Sequence, residues 1–393
     1  MSTPLARATT AMRSRPSRAR VARTASASAS RGAFDVERAR ESVNVSRASS
    51  SRDTGTSSGT TLAGCEYEVI RVRAREEGER GKKTRVFVVP GNPGVPAFYE
   101  TFALALGEAT AASSVEVVGY LGHTVEDRPN REEWFTLDEQ KEHVREYIAR
   151  RLAESRDGEK CVVVGHSIGA HIALHARREL GREKVHGVIG LMPFLHVNTR
   201  SALQKSLNFV TRLSLVAHAL GKLLDGLRAF APTARVFLLR NAVTKSMDTT
   251  AAEITSAWLR WQSLINMVFM GRTEFDALTV PVTECPLVAD AALPSDFAAV
   301  YARDDHWAPL HQRDALVHRR RCHHDRRRRR RRQTRFRRQR RLVSRRRLLV
   351  VRPHSRPPRR LARPRLSRID VSTHESRPLV ESPAPLSSNH ITT

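Results

Sequence analysis

The residues most able to do chemistry lie in one short segment, Val162-Val163-Val164-Gly165-His166-Ser167-Ile168-Gly169-Ala170. An apolar run leads directly into G-x-S-x-G, and a helical pattern follows it. Attack on a carbonyl carbon needs a hydroxyl that stands clear of the sheet, and a tight strand-to-helix turn needs glycines where side chains would collide with backbone. The segment therefore predicts Ser167 as a nucleophile at such a turn, with a purely structural turn as the alternative.

A second segment, Val86-Phe87-Val88-Val89-Pro90-Gly91-Asn92-Pro93-Gly94, ends an apolar run in a turn of glycine and proline. A tetrahedral intermediate needs N–H donors aimed at its oxyanion. Pro93 has no N–H, so we predict the backbone amide of Asn92 as the donor from this turn, alongside the amide of Ile168. A tight turn that only closes a strand would explain the same glycines.

An acidic pair follows a later apolar run, in Tyr301-Ala302-Arg303-Asp304-Asp305-His306-Trp307-Ala308-Pro309. A serine nucleophile is activated by a histidine, and an acid orients that histidine. At a turn of the G-x-S-x-G type the acid comes after the serine in the chain. Either Asp304 or Asp305 could be that acid, with the other capping the turn.

Short apolar runs alternate with helical patterns along the middle of the chain. We predict strands over 67–73, 86–89, 115–120, 161–164 and 297–301, and helices over 98–109 and 137–153. This alternation is typical of a mostly parallel sheet with helices on both faces. Residues from about 190 to 285 have mainly helical spacing, which predicts an α/β fold with a helical cap inserted between two strands.

Charge is distributed unevenly over the 393 residues, which carry 68 Lys and Arg against 40 Asp and Glu. Residues 311–393 hold 27 Arg and five acids, whereas residues 35–310 are nearly neutral, with 34 basic and 35 acidic side chains. A uniformly basic nucleic-acid-binding protein is therefore excluded. The nearly neutral stretch is long enough to bury the core of one large domain.

The two ends differ in composition from the middle. Residues 1–34 are rich in Ser, Ala, Thr and Arg and contain no acid, which is typical both of an organelle transit peptide and of a plain disordered tail. We expect residues 1–62 to be disordered, residues 63–310 to form the domain and residues 311–393 to form a disordered Arg-rich tail. The four cysteines have neither zinc-site spacing nor the number typical of a disulfide scaffold.

Five ordered motifs between residues 65 and 310 resemble those of the lipid droplet-associated hydrolase family. They are the Pro90-Gly91-Asn92-Pro93-Gly94 turn with Phe98, Tyr99 and Phe102; Gly122-His123; Leu137-Asp138-Glu139-Gln140-Lys141-Glu142-His143; Gly165-His166-Ser167-Ile168-Gly169; and Asp305-His306-Trp307-Ala308-Pro309. The resemblance implies an α/β-hydrolase fold, Ser167 as nucleophile and Asp305 as acid. His166 and His123 match family positions but do not stand where the base belongs. We expect structural roles for both, with lining of the site as the alternative.

The same resemblance implies a serine hydrolase that cleaves lipid esters, with sterol esters the usual proposal, and that contributes to lipid storage. Its implied partners are a lipid ester and the surface of a lipid droplet or membrane, and the oligomeric state stays open. Ser-His-Asp chemistry needs no metal or organic cofactor. The amino-terminal composition favours a plastid or another organelle as an alternative location. The leucines from Leu203 to Leu227, with basic residues between them, could lie in a lipid surface or form the cap's own core.

The catalytic histidine cannot be assigned from the sequence. It should follow Asp305 near a final strand, and no such setting surrounds the seven histidines beyond Leu310, which are His311, His318, His323, His324, His354, His374 and His390. Arginine codons of the CGN type become GNC when read one base later. In that frame Gln333-Thr334-Arg335-Phe336 permits Lys-His-Ala-Phe, which resembles the family's closing His-Ala-Phe motif and lies about 29 residues after the acid. We therefore hypothesise that the tail after about residue 317 is a frameshifted translation.

Two other interpretations stay open. A chain without its catalytic histidine would be an idle surface or scaffold protein of lipid droplets, because the nucleophile loses most of its activation. A genuine tail would bind RNA or anionic membrane through phosphate groups, without specific recognition of nucleic acid. Its only Phe, Trp or Tyr is Phe336, so it has no stacking platform for bases.

Overall fold

Apolar runs of the middle of the chain build a central sheet in the computed structural model. The structure describes residues 22–31, 34–47, 60–75, 84–110, 112–125, 133–155, 159–245, 247–289 and 296–319. All of them fall in Met1–Arg328, the first of two units into which the chain divides, and the second unit is Arg329–Thr393.

The described residues form one eight-stranded sheet. Its strands are β1 (Ala22–Arg31), β2 (Phe34–Arg47), β3 (Thr60–Ala74), β4 (Thr84–Val89), β5 (Ser114–Val118), β6 (Lys160–His166), β7 (Gly187–Leu191) and β8 (Phe297–Val300). They lie in the order β1-β2-β3-β5-β4-β6-β7-β8. The five strands from β5 to β8 in this order are parallel. The pairs β1/β2, β2/β3 and β3/β5 are antiparallel.

Helices connect the strands and form a block late in the chain. They are α1 (Glu100–Thr110), α2 (Leu137–Ala153), α3 (Ile168–Leu180), α4 (Ala202–Val210), α5 (Ser214–Phe230), α6 (Pro232–Ala242), α7 (Thr249–Trp258), α8 (Trp261–Ala277) and α9 (Pro286–Ala289). A 3₁₀ turn over Pro96–Tyr99 precedes α1. Helices α4 to α9 stand between β7 and β8, so the predicted helical cap is confirmed.

Strand β4 shows why helices cover both faces of the sheet, because its successive side chains point in opposite directions. Val86 and Val88 belong to the core cluster that contains Ala103 of α1. Phe87 and Val89 belong to the other large cluster, which is formed with α2 and α3. Two apolar layers on one strand account for its continuous apolar sequence.

The order of the strands reverses at β4. The chain leaves β4 for β5 on one side and then returns past it to β6 on the other side. Open α/β sheets bind ligands beyond the carboxyl ends of the strands at such a switch point. The turns that follow β4 and β6 therefore meet at the edge where a site is expected. This topology, with the cap, is the α/β-hydrolase fold.

The expectation of disorder over residues 1–62 is corrected where the structure describes strands β1 and β2. The side chains of Phe34, Val36 and Val43 are buried. The charged residues of β2 are paired, since Glu41 accepts hydrogen bonds from buried Arg71 of β3 and from Tyr67. Burial raises the pKa of Glu41, but the positive charges of Arg71 and Arg150 and the hydrogen bonds from Arg71 and Tyr67 together outweigh this, and the pKa is lowered. Polar composition indicated disorder because these ion-pair partners lie far away in the sequence.

The boundary expected at residue 310 is also corrected. Residues 310–319 are helical. Leu316 is buried in the larger core cluster, and the Gln312 side chain donates a hydrogen bond to the carbonyl of His196 at 3.1 Å. The folded region thus includes the first nine residues of the expected tail, and the rest of that tail lies outside the described residues.

Strand β2 should contribute measurably to stability. Phe34 is buried, and its ring lies 3.2 Å from where a Cβ on Gly107 of α1 would stand. We expect Phe34→Ala to lower the free energy of unfolding by about 3–5 kcal/mol, the usual cost of deleting a buried phenyl ring. Urea denaturation measures this, and exposed Ser46 of the same strand supplies the control Ser46→Ala. Equal stability of the two variants would contradict a structural role for β2.

Candidate active site

Ser167 stands at the turn between β6 and α3 with an unusual backbone conformation. Its φ is 52° and its ψ is −122°, a region that side chains rarely tolerate. The Ser167 amide donates to the carbonyl of Leu191 at 2.9 Å, and its carbonyl accepts from Ala170 and Phe194 at 3.1 and 3.0 Å. The side chain makes no capping hydrogen bond to α3, so its hydroxyl is available for other partners.

The two glycines of G-x-S-x-G are required by close backbone contacts. A Cβ on Gly165 would lie 2.4 Å from the carbonyl oxygen of Gly169, and one on Gly169 would lie 2.2 Å from the carbonyl oxygen of Val89. Real Cβ atoms do not approach backbone so closely. The glycines therefore let α3 start directly against β6 and against the end of β4, which is the geometry of a nucleophile elbow.

The Pro90–Gly94 turn after β4 lies against Ser167. A Cβ on Gly91 would stand 3.3 Å from Cβ of Ser167. The Gly91 amide is already used, since it donates to the Tyr99 hydroxyl at 2.9 Å. The backbone amides of Asn92 and Ile168 donate no hydrogen bond to any other described residue. Both predicted oxyanion donors are thus unengaged in the described part of the chain.

The His166 ring is held by a hydrogen bond with Tyr99. The Tyr99 hydroxyl accepts from Gly91, so its own hydrogen is free to be donated to Nδ1 of His166 at 2.6 Å. Burial raises the pKa of Tyr99 to about 12, which keeps this donor protonated. Burial lowers the pKa of His166, and the negative charge of Asp305 only partly opposes the shift. The lowered pKa favours the neutral form, in which a ring that accepts at Nδ1 carries its proton on Nε2.

Asp305 lies in the loop after β8, near enough to His166 for its charge to act there. One carboxylate oxygen, Oδ1, accepts from the Trp307 amide at 2.7 Å. The other, Oδ2, is buried without a hydrogen-bond partner among the described residues. Asp304 is exposed. Of the two candidate acids, Asp305 is thus the one turned inward with an oxygen still able to accept a proton donor.

Packing connects the loop of Asp305 to the turn of Ser167. The Trp307 ring packs against Phe194 and Phe275, with ring centroids 5.3 and 6.3 Å apart. Phe194 in turn hydrogen-bonds to the Ser167 carbonyl. From the cap, the Gln204 side chain donates to the carbonyl of His306 at 2.7 Å. These contacts fix the loop of Asp305 relative to the turn that carries Ser167.

No described histidine stands in the position of a catalytic base. His311 and His318 lie on the helix over 310–319, and both are exposed, as is His306. His123 accepts from the Gly94 amide at 2.9 Å, and burial lowers its pKa to about 3, so it supports the turn as a neutral group. The other five histidines beyond Leu310 fall outside the described residues.

Two polar residues of the site were not assigned roles from the sequence. Tyr99 was noted as part of a motif, and its contact with His166 spans 67 positions. Glu274 of α8 was not singled out, although its carboxylate accepts from the Asn92 side chain at 2.9 Å. Glu274 lies between the charged residues Arg272 and Asp276 near the end of α8, so no signal in the sequence distinguished it.

The strained backbone of Ser167 should be visible in stability measurements. We expect Ser167→Gly to be more stable than Ser167→Ala by about 1 kcal/mol, because relief of about 2 kcal/mol of strain exceeds the backbone entropy of glycine, about 0.5–1 kcal/mol. Chemical denaturation of the two variants measures the difference. An alanine variant that is equally stable or more stable would contradict a strained elbow.

Comparison with known proteins places the chain in a family. A model of the "lipid-droplet associated hydrolase" family matches residues 82–332. Lipid droplet-associated hydrolase of Dictyostelium discoideum is 22% identical over 234 residues, which cover 57% of this chain and 73% of that protein. The Rattus norvegicus protein of the same name is 32% identical over 114 residues, or 25% of this chain and 34% of the relative. A solved structure, the peroxisomal α/β-hydrolase Lpx1 of Saccharomyces cerevisiae, matches with 14% identity and a TM-score of 0.49, covering 73% of this chain and 80% of that one.

The match to the family model establishes the family. It spans more than half of the chain and includes the turn after β4, the elbow at Ser167 and the loop of Asp305. The chain therefore belongs to the lipid droplet-associated hydrolase family, and it is a hydrolase with an α/β-hydrolase fold.

Proposed function

We propose that this hydrolase is a serine esterase that cleaves lipid esters, sterol esters among them, at the surface of lipid droplets and thereby contributes to lipid storage. The observation that carries the proposal is the Ser167 hydroxyl on a strained elbow beside two unengaged amides, those of Ile168 and Asn92. Acyl transfer is the chemistry that needs a nucleophile and an oxyanion site at one place.

In the proposed reaction a histidine takes the proton of Ser167 as Oγ attacks the ester carbonyl carbon. The carbonyl π electrons move to oxygen, and the amides of Ile168 and Asn92 stabilise that oxyanion. Collapse breaks the bond to the alcohol, which leaves with the proton from the histidine. Water then attacks the acyl-serine with the same histidine as base. Each oxyanion donor is worth about 10²–10³ in rate.

Asp305 has the proposed role of orienting that histidine. Its buried Oδ2 has no partner among the described residues, and a buried acceptor of this kind is stabilised by an N–H donor. A histidine Nδ1–H is the donor that triad chemistry supplies. We further propose that the histidine is encoded in the shifted reading frame, as the Lys-His-Ala-Phe reading of residues 333–336 permits.

The competing function is an idle surface protein of lipid droplets. It is favoured by the observation that no described histidine reaches Ser167 or Asp305 by a hydrogen bond. Loss of the histidine from a triad lowers the rate by several orders of magnitude. The two functions therefore differ in whether Ser167 reacts.

Reaction with a fluorophosphonate probe separates these functions. We expect no labelling of the chain as written and labelling at Ser167 once the reading frame is repaired by one base beyond codon 317. The repaired Ser167→Ala variant supplies the control and should not label. A repaired protein that stays unlabelled, or labelling that survives Ser167→Ala, would contradict the serine esterase. Sequencing the transcript across codons 305–345 checks the frame directly.

Helices α4 to α6 offer a surface for lipid. None of the described helices is both long and apolar enough to cross a bilayer. Instead these helices expose large apolar side chains, which are Leu203, Phe209, Val210, Leu213, Leu215, Val216, Leu220, Leu223, Phe230, Val236, Phe237 and Leu238. Residues 202–245 also contain seven Lys and Arg and one acid. Of the two interpretations of the leucine spacing, this exposure favours a lipid surface, since a cap core would bury these side chains.

We call the exposed side chains of α4 to α6 the lipid face and expect it to bind anionic phospholipid. Leu215, Phe230 and Phe237 are its most exposed members, at 85%, 92% and 72%. Changing all three to Ser should weaken flotation with phosphatidylcholine and phosphatidylserine vesicles at least tenfold, because each loses about 1 kcal/mol or more of apolar burial. Phe102→Ser on α1, also an exposed apolar site, is the matched control. Equal flotation of both variants would contradict the lipid face.

A further inference from the structure

Glu274 joins the cap to the proposed oxyanion turn. Oε1 of Glu274 accepts a hydrogen bond from Nδ2 of Asn92 at 2.9 Å, across 182 positions of sequence. The same Nδ2 donates to the carbonyl of Met267, two turns earlier on the same face of α8, at 3.0 Å. Gly271 completes the contact, since a Cβ there would stand 3.6 Å from Nδ2. The Asn92 side chain is thus held by α8 alone among the helices.

The chemistry of this contact favours a neutral carboxyl group. Oδ1 of Asn92 is buried and has no donor among the described residues. Glu274 is buried as well, and it forms no ion pair with any cation in the described part of the chain. A carboxylate can only accept, whereas a carboxylic acid also has one O–H to donate. Protonated Glu274 can therefore accept from the Asn92 amide group and supply a donor for its oxygen.

We propose that Glu274 is a positioning residue that works as a neutral acid, holding Asn92 so that the backbone N–H of Asn92 faces the oxyanion. This rests on the proposed function, in which that amide is an oxyanion donor. The Asn92 side chain and amide belong to one residue of a tight turn, so fixing the first restricts the second. An ionised Glu274 would place a negative charge beside the developing oxyanion and destabilise it.

The charges around α8 do not compensate for ionisation of Glu274. Tyr120, from the loop after β5, is the titratable group that faces it, and the hydroxyl of Tyr120 donates to the carbonyl of Pro90 at 2.5 Å. The other charged groups on α8 and on the elements packed against it are either exposed or have other partners. Arg272 is exposed. The partnered groups are Asp276 with Arg212, Lys222 and His218 with Trp261, Asp138 with Lys141, and Glu139 with Thr136. Accordingly, burial raises the pKa of Glu274 to about 8, against the hydrogen bond from Asn92.

The pH dependence of stability tests the ionisation. The folded pKa lies above the unfolded value, so the neutral acid stabilises the fold fully below about pH 4.5 and this stabilisation is lost as the pH rises to about 8. We expect the difference between the Tm of Glu274→Gln and the Tm of the wild-type chain to shift in favour of the variant from pH 5 to pH 8. Above pH 8 this difference should stay constant. Glu253→Gln, at an exposed acid of α7, should show no growing gap. Parallel profiles for all three proteins would overturn the proposal.

Ester hydrolysis tests the positioning in the protein whose reading frame is repaired beyond codon 317, because the chain as written is expected to be inactive. In the repaired protein, Glu274→Gln should keep kcat for a p-nitrophenyl ester within about twofold at pH 7 and hold it at pH 9, where ionisation of Glu274 costs the repaired parent protein about tenfold. Glu274→Ala should lose at least tenfold at pH 7, because the turn is no longer held. Equal kcat for the Ala and Gln variants at pH 7 would overturn the proposal. If no variant hydrolyses the ester, the proposed function fails, and the Tm profiles alone then decide whether Glu274 acts as a neutral acid.

Discussion

The backbone of Ser167 is the constraint on which the rest of the site depends. Its φ of 52° and ψ of −122° cost about 1–3 kcal/mol, so the conformation persists only because its surroundings enforce it. The Ser167 amide donates to the Leu191 carbonyl, and the Ser167 carbonyl accepts from the amides of Ala170 and Phe194. Helix α3 is buried along most of its length. Gly165 and Gly169, on either side of Ser167, lie so close to neighbouring backbone that the turn has no room to relax. This strained conformation makes the hydroxyl project from the end of a buried strand.

The order of the strands decides what that hydroxyl meets. Because β4 and β6 are neighbours in the sheet but are separated by α1, β5 and α2 in the chain, the Pro90–Gly94 turn lies beside Ser167. Strand β8 pairs with β7, and its Val300 accepts the hydrogen bond of the Met192 amide. The loop of Asp305 therefore starts from the same edge. Parallel pairing alone collects the three segments that the sequence analysis treated separately.

Local pattern could predict the elbow, the cap and most strands, because each depends on residues close together in sequence. The β2 strand could not be predicted in this way, since its Glu41 is stabilised by Arg71 on another strand. The contacts of Tyr99 with His166 and of Asn92 with Glu274 could not be predicted either, because these partners are also far apart in the sequence. The sequence pattern placed polar residues in turns correctly but did not identify their hydrogen-bond partners. Hydrogen bonds between distant parts of the chain leave no periodic signal in the sequence.

The inner and outer helices of the cap differ in what their side chains contact. Helix α8 packs inward, where Glu274 contacts Asn92 and Phe275 contacts Trp307. Helix α5 packs closely on α8 through Gly221, where a Cβ would lie 2.8 Å from Cα of Trp261. The outer side of α5 leaves Leu215 exposed. Helix α8 lies between α5 and the Pro90–Gly94 turn. Under the proposed function this small helical block has to bind lipid on its outer side and hold the turn on its inner side, which accounts for a sequence that is neither uniformly apolar nor uniformly charged.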